Sequence, residues 1–300
     1  FKRKQSTIYI QSILCGKRMS EYDVIIIGAG LGGLTAGAKL ARAGKKVFLV
    51  EQHYIPGGCA TVFKRKDYTM EVGLHELDGL HADDPKVEVF KELGIFDNIE
   101  FVKVPEFYRF KNDRIDFVMP CHIEEAIKVL NKIFPDESQA IEAYFHQMLT
   151  IQKEVMKMSQ DKWKIIVNYP NSILMEIGTQ TVGEFLDSIT DNDDLKLALQ
   201  GNLQYYHDDP YSMSLVYFCT AQASYYTGGG HFIKGGSQKL SDYLSSLITA
   251  NNGQVLLSHM VTKIITKDNT AIGIEYQKTG RKLSPIKQAF ANTVIANAAV

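Results

Sequence analysis

The sequence predicts an α/β fold with a parallel-sheet domain near its N-terminus, followed by a long and largely helical region. Three observations predict this fold. A β-branched run, a glycine-rich turn and a helical pattern follow one another from residue 24 to residue 43. A second strand pattern then ends in an acid at Glu51. Between about residues 82 and 227, the apolar residues recur mostly at helical spacing.

The first strand and turn carry a pattern typical of dinucleotide binding. Residues 24–27 are Val-Ile-Ile-Ile, which suits a strand buried on both faces of a parallel sheet. Gly28, Gly30 and Gly33 then supply a tight turn, a close backbone approach to a pyrophosphate and close packing of the helix on the strand. The amides of residues 31–33 are expected to point at the bound anion, as in a Rossmann-like fold. Glycine-rich turns also serve ordinary strand–helix packing, so a domain that has lost its nucleotide is the alternative.

The helix and the second strand extend this pattern. The helical spacing runs through Ala43, and Gly44 stands where a left-handed C-terminal cap belongs. Residues 46–50 form the next strand. Glu51 follows the glycines by roughly the twenty residues expected for a carboxylate that hydrogen-bonds an adenosine ribose. Because this carboxylate would repel a 2′-phosphate, the predicted nucleotide carries a free 2′-hydroxyl.

A second glycine pair bears on the choice between FAD and NAD. Gly57 and Gly58 follow Glu51 closely, which indicates that the chain doubles back beside the pyrophosphate instead of entering another crossover helix. This arrangement favours FAD.

Composition restricts the classes of partner. The 300 residues carry a net charge of −1, which gives no electrostatic reason to expect a nucleic-acid partner. No apolar run reaches the roughly twenty residues of a membrane-spanning helix, so any membrane contact is expected to be peripheral. The cysteines have neither metal-type nor disulfide-type spacing, which predicts no metal site and a cytoplasmic location. They are Cys15, Cys59, Cys121 and Cys219.

The first eighteen residues carry only basic charges and are expected to be a disordered extension. A basic segment that anchors the protein at a membrane surface is an alternative. A signal peptide is less favoured because Gln11 and Ser12 interrupt the apolar stretch.

The middle of the chain predicts a substrate or cap region. Helices are expected at residues 85–93, 123–134 and 138–158, and strands at residues 102–118 around an Asn112–Asp113 turn. The apolar stripe of residues 138–158 is expected to face a core in preference to a membrane. Thr181 and Glu184 predict a capping box, and Asp191 or Asn192 is expected to cap a short helix that reaches Leu203.

An aromatic cluster suits a wall for a long apolar substrate, although ordinary core packing explains such clusters equally well. Its members are Tyr205, Tyr206, Tyr211, Tyr217, Phe218, Tyr225 and Tyr226.

Catalytic candidates are few. His75 follows a glycine segment and is the candidate catalytic residue, with a purely structural histidine as the alternative. His231 and Lys234 stand beside glycines and are expected to shape a turn. Cys59 is either redox-active or simply a small packing residue.

Residues 23–80, which include TVFKRKDYTMEVGLHELDG, resemble the phytoene desaturase and retinol saturase group of FAD-dependent oxidoreductases. The likeness continues in GGGHFIKGGSQKLSDYL at residues 228–244 and in residues 255–274. The resemblance implies a glutathione-reductase-type FAD-binding domain in two parts, residues 19–81 and 228–300, and a substrate domain at residues 82–227. Many members of the wider superfamily have arginine after the glycine pair, where this chain has Cys59.

The resemblance also implies a set of cofactor contacts, in which Glu51 meets the ADP moiety and Val261 meets the adenine through its backbone. The implied cofactor-binding residues are Gly28, Ala29, Gly30, Leu31, Gly32, Gly33, Glu51, Gln52, Gly57, Gly58 and Val261. Members of the group continue beyond the position of Val300 with a lobe that covers the flavin, so part of the site is expected outside this sequence.

The expected function is FAD-dependent chemistry at carbon–carbon bonds of an isoprenoid-, carotenoid- or retinol-like apolar substrate, by desaturation, saturation or isomerisation. NAD(P)H is an expected electron donor or acceptor. The flavin supplies the reactive group itself, so a catalytic triad is not required. The alternatives are a flavin amine oxidase and a non-catalytic flavin-binding or membrane-surface protein.

Overall fold

A computed structural model describes residues 20–82, 84–160, 172–280 and 284–298. Within these ranges the strands are β1 (Tyr22–Ile27), β2 (Val47–Val50), β3 (Val62–Arg65), β4 (Tyr68–Glu71), β5 (Leu77–Asp78), β6 (Phe101–Val104), β7 (Glu106–Lys111), β8 (Asp116–Pro120), β9 (Gly230–Ile233), β10 (Gln254–Leu256), β11 (His259–Lys267), β12 (Thr270–Lys278) and β13 (Lys287–Ala296). The helices there are α1 (Leu31–Arg42), α2 (Pro85–Glu92), α3 (Ile95–Asn98), α4 (Ile123–Ile133), α5 (Ser138–Gln160), α6 (Ile173–Ile177), α7 (Val182–Ile189), α8 (Asp193–Leu199), α9 (Leu215–Gly228) and α10 (Gln238–Ala250).

The chain forms two compact units. One contains the described residues up to Gly58 and from Leu244 onward, and the other is Cys59–Tyr243. The boundaries expected at residues 81/82 and 227/228 differ from this division. The reason is that β5 and β9 pair with each other and β9 pairs with β6, which ties both flanks of the middle region to the second unit. The division into cofactor and substrate domains stays a prediction, and the expected disorder of residues 1–18 lies outside the described residues.

The first unit is built on a six-stranded sheet in the order β10-β2-β1-β13-β12-β11. Strand β1 pairs in parallel with β2 and β13, whereas β12 runs antiparallel to β13 and β11. Ile25 and Ile26 are fully buried, as expected for a β-branched central strand covered on both faces. The predicted α/β fold with a parallel sheet is confirmed.

Helix α1 ends as the sequence predicts. Gly44 has φ +78°, and its N–H donates to the Ala41 carbonyl over 3.0 Å. The N–H of Lys45 donates to the Leu40 carbonyl, also over 3.0 Å. Together these bonds form a Schellman cap that satisfies the last carbonyls of the helix.

The second unit has a helical core around α5. Ile141, Met148 and Ile151 of this helix are fully buried, which confirms that its apolar stripe faces a core. The predicted strands around Asn112 are confirmed as the β7–β8 hairpin, in which the Asn112 side chain accepts from the N–H groups of Arg114 and Ile115.

The two predicted helix caps are confirmed. Thr181 and Glu184 form the reciprocal bonds of a capping box at the start of α7. Asn192, rather than Asp191, caps α8 by accepting from the N–H groups of Asp194 and Leu195.

Helix α8 ends at Leu199 rather than at Leu203, and residues Leu203–Tyr205 form a separate 3₁₀ turn. Gly201 follows the C-cap Gln200, and two tyrosine hydroxyls bind carbonyls at this end. Tyr108 donates to the Ala198 carbonyl over 2.9 Å, and Tyr144 donates to the Leu199 carbonyl over 3.0 Å. These bonds satisfy carbonyls that a longer helix would have used internally.

Candidate cofactor-binding site

Two glycines of the turn are required by the packing of the chain itself. Gly28 has φ +96°, and a side chain there would overlap the backbone carbonyl of Asn297. A side chain at Gly33 would overlap the Gly28 carbonyl oxygen. Because backbone atoms cannot move aside cheaply, both positions require glycine whether or not a ligand is bound.

Gly30 differs from these two. Its φ of −66° is open to any residue, and no backbone atom crowds it. The nearest atom to a Cβ built at Gly30 is Nδ2 of Asn297, at 3.3 Å. Gly30 is therefore the least crowded glycine of the turn, and a side chain there would displace only the Asn297 amide slightly.

The same turn leaves backbone donors for an anion. Gly30 is the N-cap of α1, and no side chain caps the helix there. The first bond within the helix is from the Leu34 N–H to the Gly30 carbonyl, so the amides of residues 31–33 have no acceptor inside the helix. They lie at the positive end of the helix dipole, an arrangement that can accept a phosphate group.

Glu51 is held rigidly at the end of β2. Its side chain is buried, and Oε2 accepts from the Ala29 N–H while Oε1 accepts from the His53 N–H, each over 2.7 Å. Each carboxylate oxygen keeps a second lone pair that can accept a ligand hydroxyl. The carboxylate therefore orders the glycine turn and can also bind a ribose.

The second glycine pair returns to the turn. The Gly57 N–H donates to the Ala29 carbonyl over 2.7 Å, and Gly57 bridges Gly30 in parallel. Gly58 has φ +60°, and a Cβ there would lie 3.2 Å from the Gly30 Cα. The predicted doubling back of the chain is confirmed.

The segment before Val261 is tied to Glu51. The His259 N–H donates to the Glu51 carbonyl over 2.9 Å, and Val261 follows two residues later at an irregularity in the β11–β12 pairing. The side chain of Gln52 is exposed, while its carbonyl accepts from the Thr279 hydroxyl over 3.1 Å. The structure thus brings all the sequence-predicted cofactor residues into one unit, and their cofactor contacts stay predictions.

Asn297, which resembles a residue that closes the adenine-binding segment of the group, is a residue of this site to which the sequence analysis assigned no cofactor contact. Its side-chain amide lies over the start of α1, with Oδ1 2.8 Å from a Cβ built at Gly32 and Nδ2 3.0 Å from one built at Gly33. Its N–H donates to the Ile27 carbonyl over 2.8 Å, which joins the ends of β13 and β1. Polar residues at the carboxyl ends of neighbouring parallel strands meet at one edge, and this rule was the available signal.

The candidate catalytic residue His75 lies in the second unit. It is exposed, and its Nδ1 lies 3.2 Å from the Tyr205 hydroxyl. No contact to a reacting group tests its role, which stays a prediction. Cys59 is exposed beside Gly73, so both interpretations of this thiol remain open.

Five of the seven residues of the aromatic cluster divide between a core and a groove, whereas Tyr205 and Tyr211 are exposed. Phe218 and Tyr226 are buried core residues, whereas Tyr206, Tyr217 and Tyr225 line a groove of about 510 Å³ in the second unit. Apolar side chains of α5 line it as well. The complete lining is Asp78, Asp84, Pro85, Lys86, Val155, Met156, Tyr206, Tyr217, Thr220, Ala221, Ser224 and Tyr225.

The described residues contain neither a membrane-spanning helix nor a metal-binding cluster. No helix in those ranges is both long enough and apolar enough to cross a membrane. Residues 20–82, 84–160, 172–280 and 284–298 contain no group of three or more side chains placed to hold a metal ion.

Comparison with known proteins identifies the family. The sequence profile of the flavin containing amine oxidoreductases matches residues 31–295. The chain belongs to this family. The solved structure of an oxidoreductase from Methanosarcina mazei has the same fold, with a TM-score of 0.63 at 19% identity over 92% of this chain and 58% of that chain.

Curated relatives confirm the resemblance to the desaturase and saturase group. All-trans-retinol 13,14-reductase from Danio rerio is 25% identical over 93% of this chain and 48% of its own length. Prolycopene isomerase 2 from an Oncidium hybrid cultivar is 25% identical over the same shares of the two chains. The chain spans about half the length of these relatives.

Proposed function

We propose that the protein is an FAD-dependent oxidoreductase that acts on carbon–carbon bonds of a retinoid- or carotenoid-like substrate. One observation carries the cofactor part of the proposal: the uncapped amides at the start of α1 lie beside the open space at Gly30, with the Glu51 carboxylate at the next strand end. The likeness to a retinol reductase and a prolycopene isomerase supports the substrate class.

The chain's own residues have distinct roles in this proposal. The amides of residues 31–33 bind the pyrophosphate, and Glu51 accepts hydrogen bonds from the adenosine ribose. Val261 meets the adenine through its backbone. FAD, when bound, supplies the group that accepts or donates hydride. The tyrosine-lined groove holds an extended apolar molecule and keeps water away from it.

The experiment begins with the absorption spectrum of the purified full-length protein. A flavin band near 450 nm is expected, and a colourless protein that takes up no FAD on reconstitution would overturn the proposal. The flavoprotein is then incubated with all-trans-retinol or a carotene, with and without NAD(P)H, and the products are separated by chromatography. A change in the number or geometry of the double bonds is the expected result.

An amine oxidase is the second candidate, and the description of the family favours it. Peroxide formed from a panel of amines, with no conversion of polyenes, would select it. Bound flavin with neither activity would select a non-catalytic flavin-binding protein. We further propose that NAD(P)H is an electron donor, which a measurement of NAD(P)H oxidation tests. We also propose that the protein is cytoplasmic with peripheral membrane contact, which cell fractionation tests.

A further inference from the structure

The β3–β4 hairpin of the second unit carries an exposed apolar face. Its two strands form a two-stranded antiparallel sheet, in which Phe63 lies directly opposite Met70. Arg65 lies opposite Tyr68, two residues along each strand, and therefore on the same face. The side chains of Phe63, Tyr68 and Met70 are between 45% and 73% exposed. Val72 continues the alternation and is exposed as well.

The opposite face anchors the hairpin. Val62 lies opposite Glu71, one position along from the Phe63 pair. The Ser237 N–H donates to the Glu71 carboxylate over 2.6 Å, and a side chain at Gly236 would overlap the Val62 side chain. These contacts fix the root of the hairpin at the start of α10. Because neighbouring residues of a strand point to opposite faces, the apolar face is turned away from this anchor.

The tip of the hairpin is basic. Residues 64–67 are Lys-Arg-Lys-Asp, which gives three positive charges and one negative charge, or a net charge of +2. All four side chains are exposed, and no ion pair to the three cations is found in the part of the chain that the structure describes. The other acid of the hairpin is Glu71, whose carboxylate is bound by Ser237 at the root. The exposed end is therefore positive in a chain whose net charge is −1.

This combination matches the surface of an anionic lipid bilayer. Aromatic rings and other apolar side chains pack at the boundary between headgroups and acyl chains, while lysine and arginine reach the negative headgroups. A bilayer supplies both an apolar layer and negative charge over a broad area, whereas an acidic protein supplies mainly the charge. The anchored hairpin already holds both sets of groups in place, so little conformational entropy is lost when it binds.

We infer that the β3–β4 hairpin binds an anionic lipid bilayer, with its apolar face in the interfacial layer and its basic tip against the headgroups. The inference rests on the proposed peripheral membrane contact and makes it specific. It assigns the contact to one hairpin and makes negative lipid charge a requirement, and it depends neither on the cofactor nor on the substrate.

Co-sedimentation of the purified full-length protein with lipid vesicles tests this surface. The vesicles contain phosphatidylcholine alone or phosphatidylcholine with about 30% phosphatidylserine. The wild type is expected to bind the anionic vesicles at least about tenfold more tightly than the neutral ones, and added salt should reduce the difference. Lys64→Glu with Lys66→Glu should remove this preference. Lys263→Glu with Lys267→Glu makes the same charge changes at exposed positions of β11 and should leave the preference intact.

The apolar face is tested by a second pair of substitutions. Tyr68→Ser with Met70→Ser should weaken binding to both kinds of vesicle by about tenfold or more, because less apolar area enters the bilayer. The preference for anionic vesicles should remain, since the basic tip is unchanged. Tyr54→Ser with Met175→Ser removes the same side chains at positions of similar or greater exposure and should bind as the wild type does.

Four outcomes would overturn the inference. They are equal binding of the wild type to both kinds of vesicle, an anionic preference that survives charge reversal at Lys64 and Lys66, unchanged binding by Tyr68→Ser with Met70→Ser, and binding of the wild type to polyglutamate but not to vesicles. The last would select an acidic protein partner. Melting temperature shows that each variant is folded, and the comparison of the two lipids needs no variant. Failure of the proposed function looks different, since the protein would then lack flavin or convert no polyene whatever its binding to vesicles.

Discussion

Gly30→Ala is the substitution that best separates cofactor binding from folding. Gly30 has a φ of −66°, which alanine adopts without strain, and its added methyl would meet only Nδ2 of Asn297, at 3.3 Å. That methyl enters the open space beside the helix amides, where the pyrophosphate is proposed to lie. The variant should therefore fold normally and bind FAD poorly.

The expected magnitudes differ for the two properties. Replacing glycine by alanine at an N-cap lowers the free energy of unfolding by up to about 1 kcal/mol. The lower chain entropy of the unfolded state raises it again by about 0.4–1 kcal/mol. The free energy of unfolding of the apoprotein should thus change by less than about 1 kcal/mol. A lost hydrogen bond to a charged group costs about 1.5–3 kcal/mol, so the Kd for FAD should rise by about 10- to 150-fold.

The assays are flavin content by absorbance, FAD affinity by quenching of flavin fluorescence, and thermal unfolding of the apoprotein. Gly33→Ala is the matched comparison, because its methyl would overlap the Gly28 carbonyl oxygen. This second variant should lose about 3 kcal/mol of stability or more. Wild-type FAD affinity in Gly30→Ala would refute the proposed position of the pyrophosphate. A stability loss as large as that of Gly33→Ala would refute the assignment of open space at Gly30.

Three further substitutions test the site and the fold. Glu51→Gln should weaken FAD retention and also destabilise the apoprotein by about 1–3 kcal/mol, because one of two backbone N–H groups would face an amide N–H. An unchanged melting temperature would contradict the two observed bonds. Asn297→Asp preserves shape but places a negative charge over the helix start, so the Kd for FAD should rise about tenfold or more, and salt should reduce the effect; equal affinity at low salt would exclude Asn297 from the anion site. Asp84→Ala removes the N-cap of α2 and should cost about 1–2 kcal/mol by denaturant titration. Burial raises the pKa of the Asp84 carboxyl, but the N–H groups of Leu80 and Lys86 outweigh burial and hold that pKa below its usual value. The stabilisation by Asp84 is therefore present above the unfolded-state pKa of about 3.9 and is lost as the pH falls through the lower folded pKa. The stabilities of wild type and variant should converge at that low pH. A constant difference down to low pH would argue against the carboxylate as the stabilising form.

Much of the first unit was predictable because its determinants lie close together in the sequence. The run of isoleucines before Gly28 and the cap at Gly44 each act on their own strand or helix, and Glu51 was predicted from its spacing after the glycines. The same holds for the capping box at Thr181, which involves residues three positions apart. Such features depend on local backbone geometry and hydrogen bonding, which a sequence pattern records directly.

The features that the sequence did not predict depend on contacts between distant parts of the chain. Helix α8 ends at Leu199, where hydroxyls of Tyr108 and Tyr144, from distant parts of the chain, donate to the last carbonyls. Nothing in the local pattern signals those bonds. The division into two compact units likewise depends on distant contacts, since β5 pairs with β9 across the whole helical region.

By itself the sequence determined that a strand, a glycine turn, a helix and an acid stand in the order that cradles a dinucleotide. Tertiary structure alone decided how crowded each glycine of the turn is, since a side chain at Gly28, Gly32 or Gly33 would come nearer to Asn297 or to the Gly28 carbonyl than one at Gly30 would. It also decided that the carboxyl of Glu76 lies against β9, because that carboxyl fits only where Gly230 lacks a side chain. Local order follows from propensity and capping, whereas these contacts follow from strand pairing that brings distant residues to one edge.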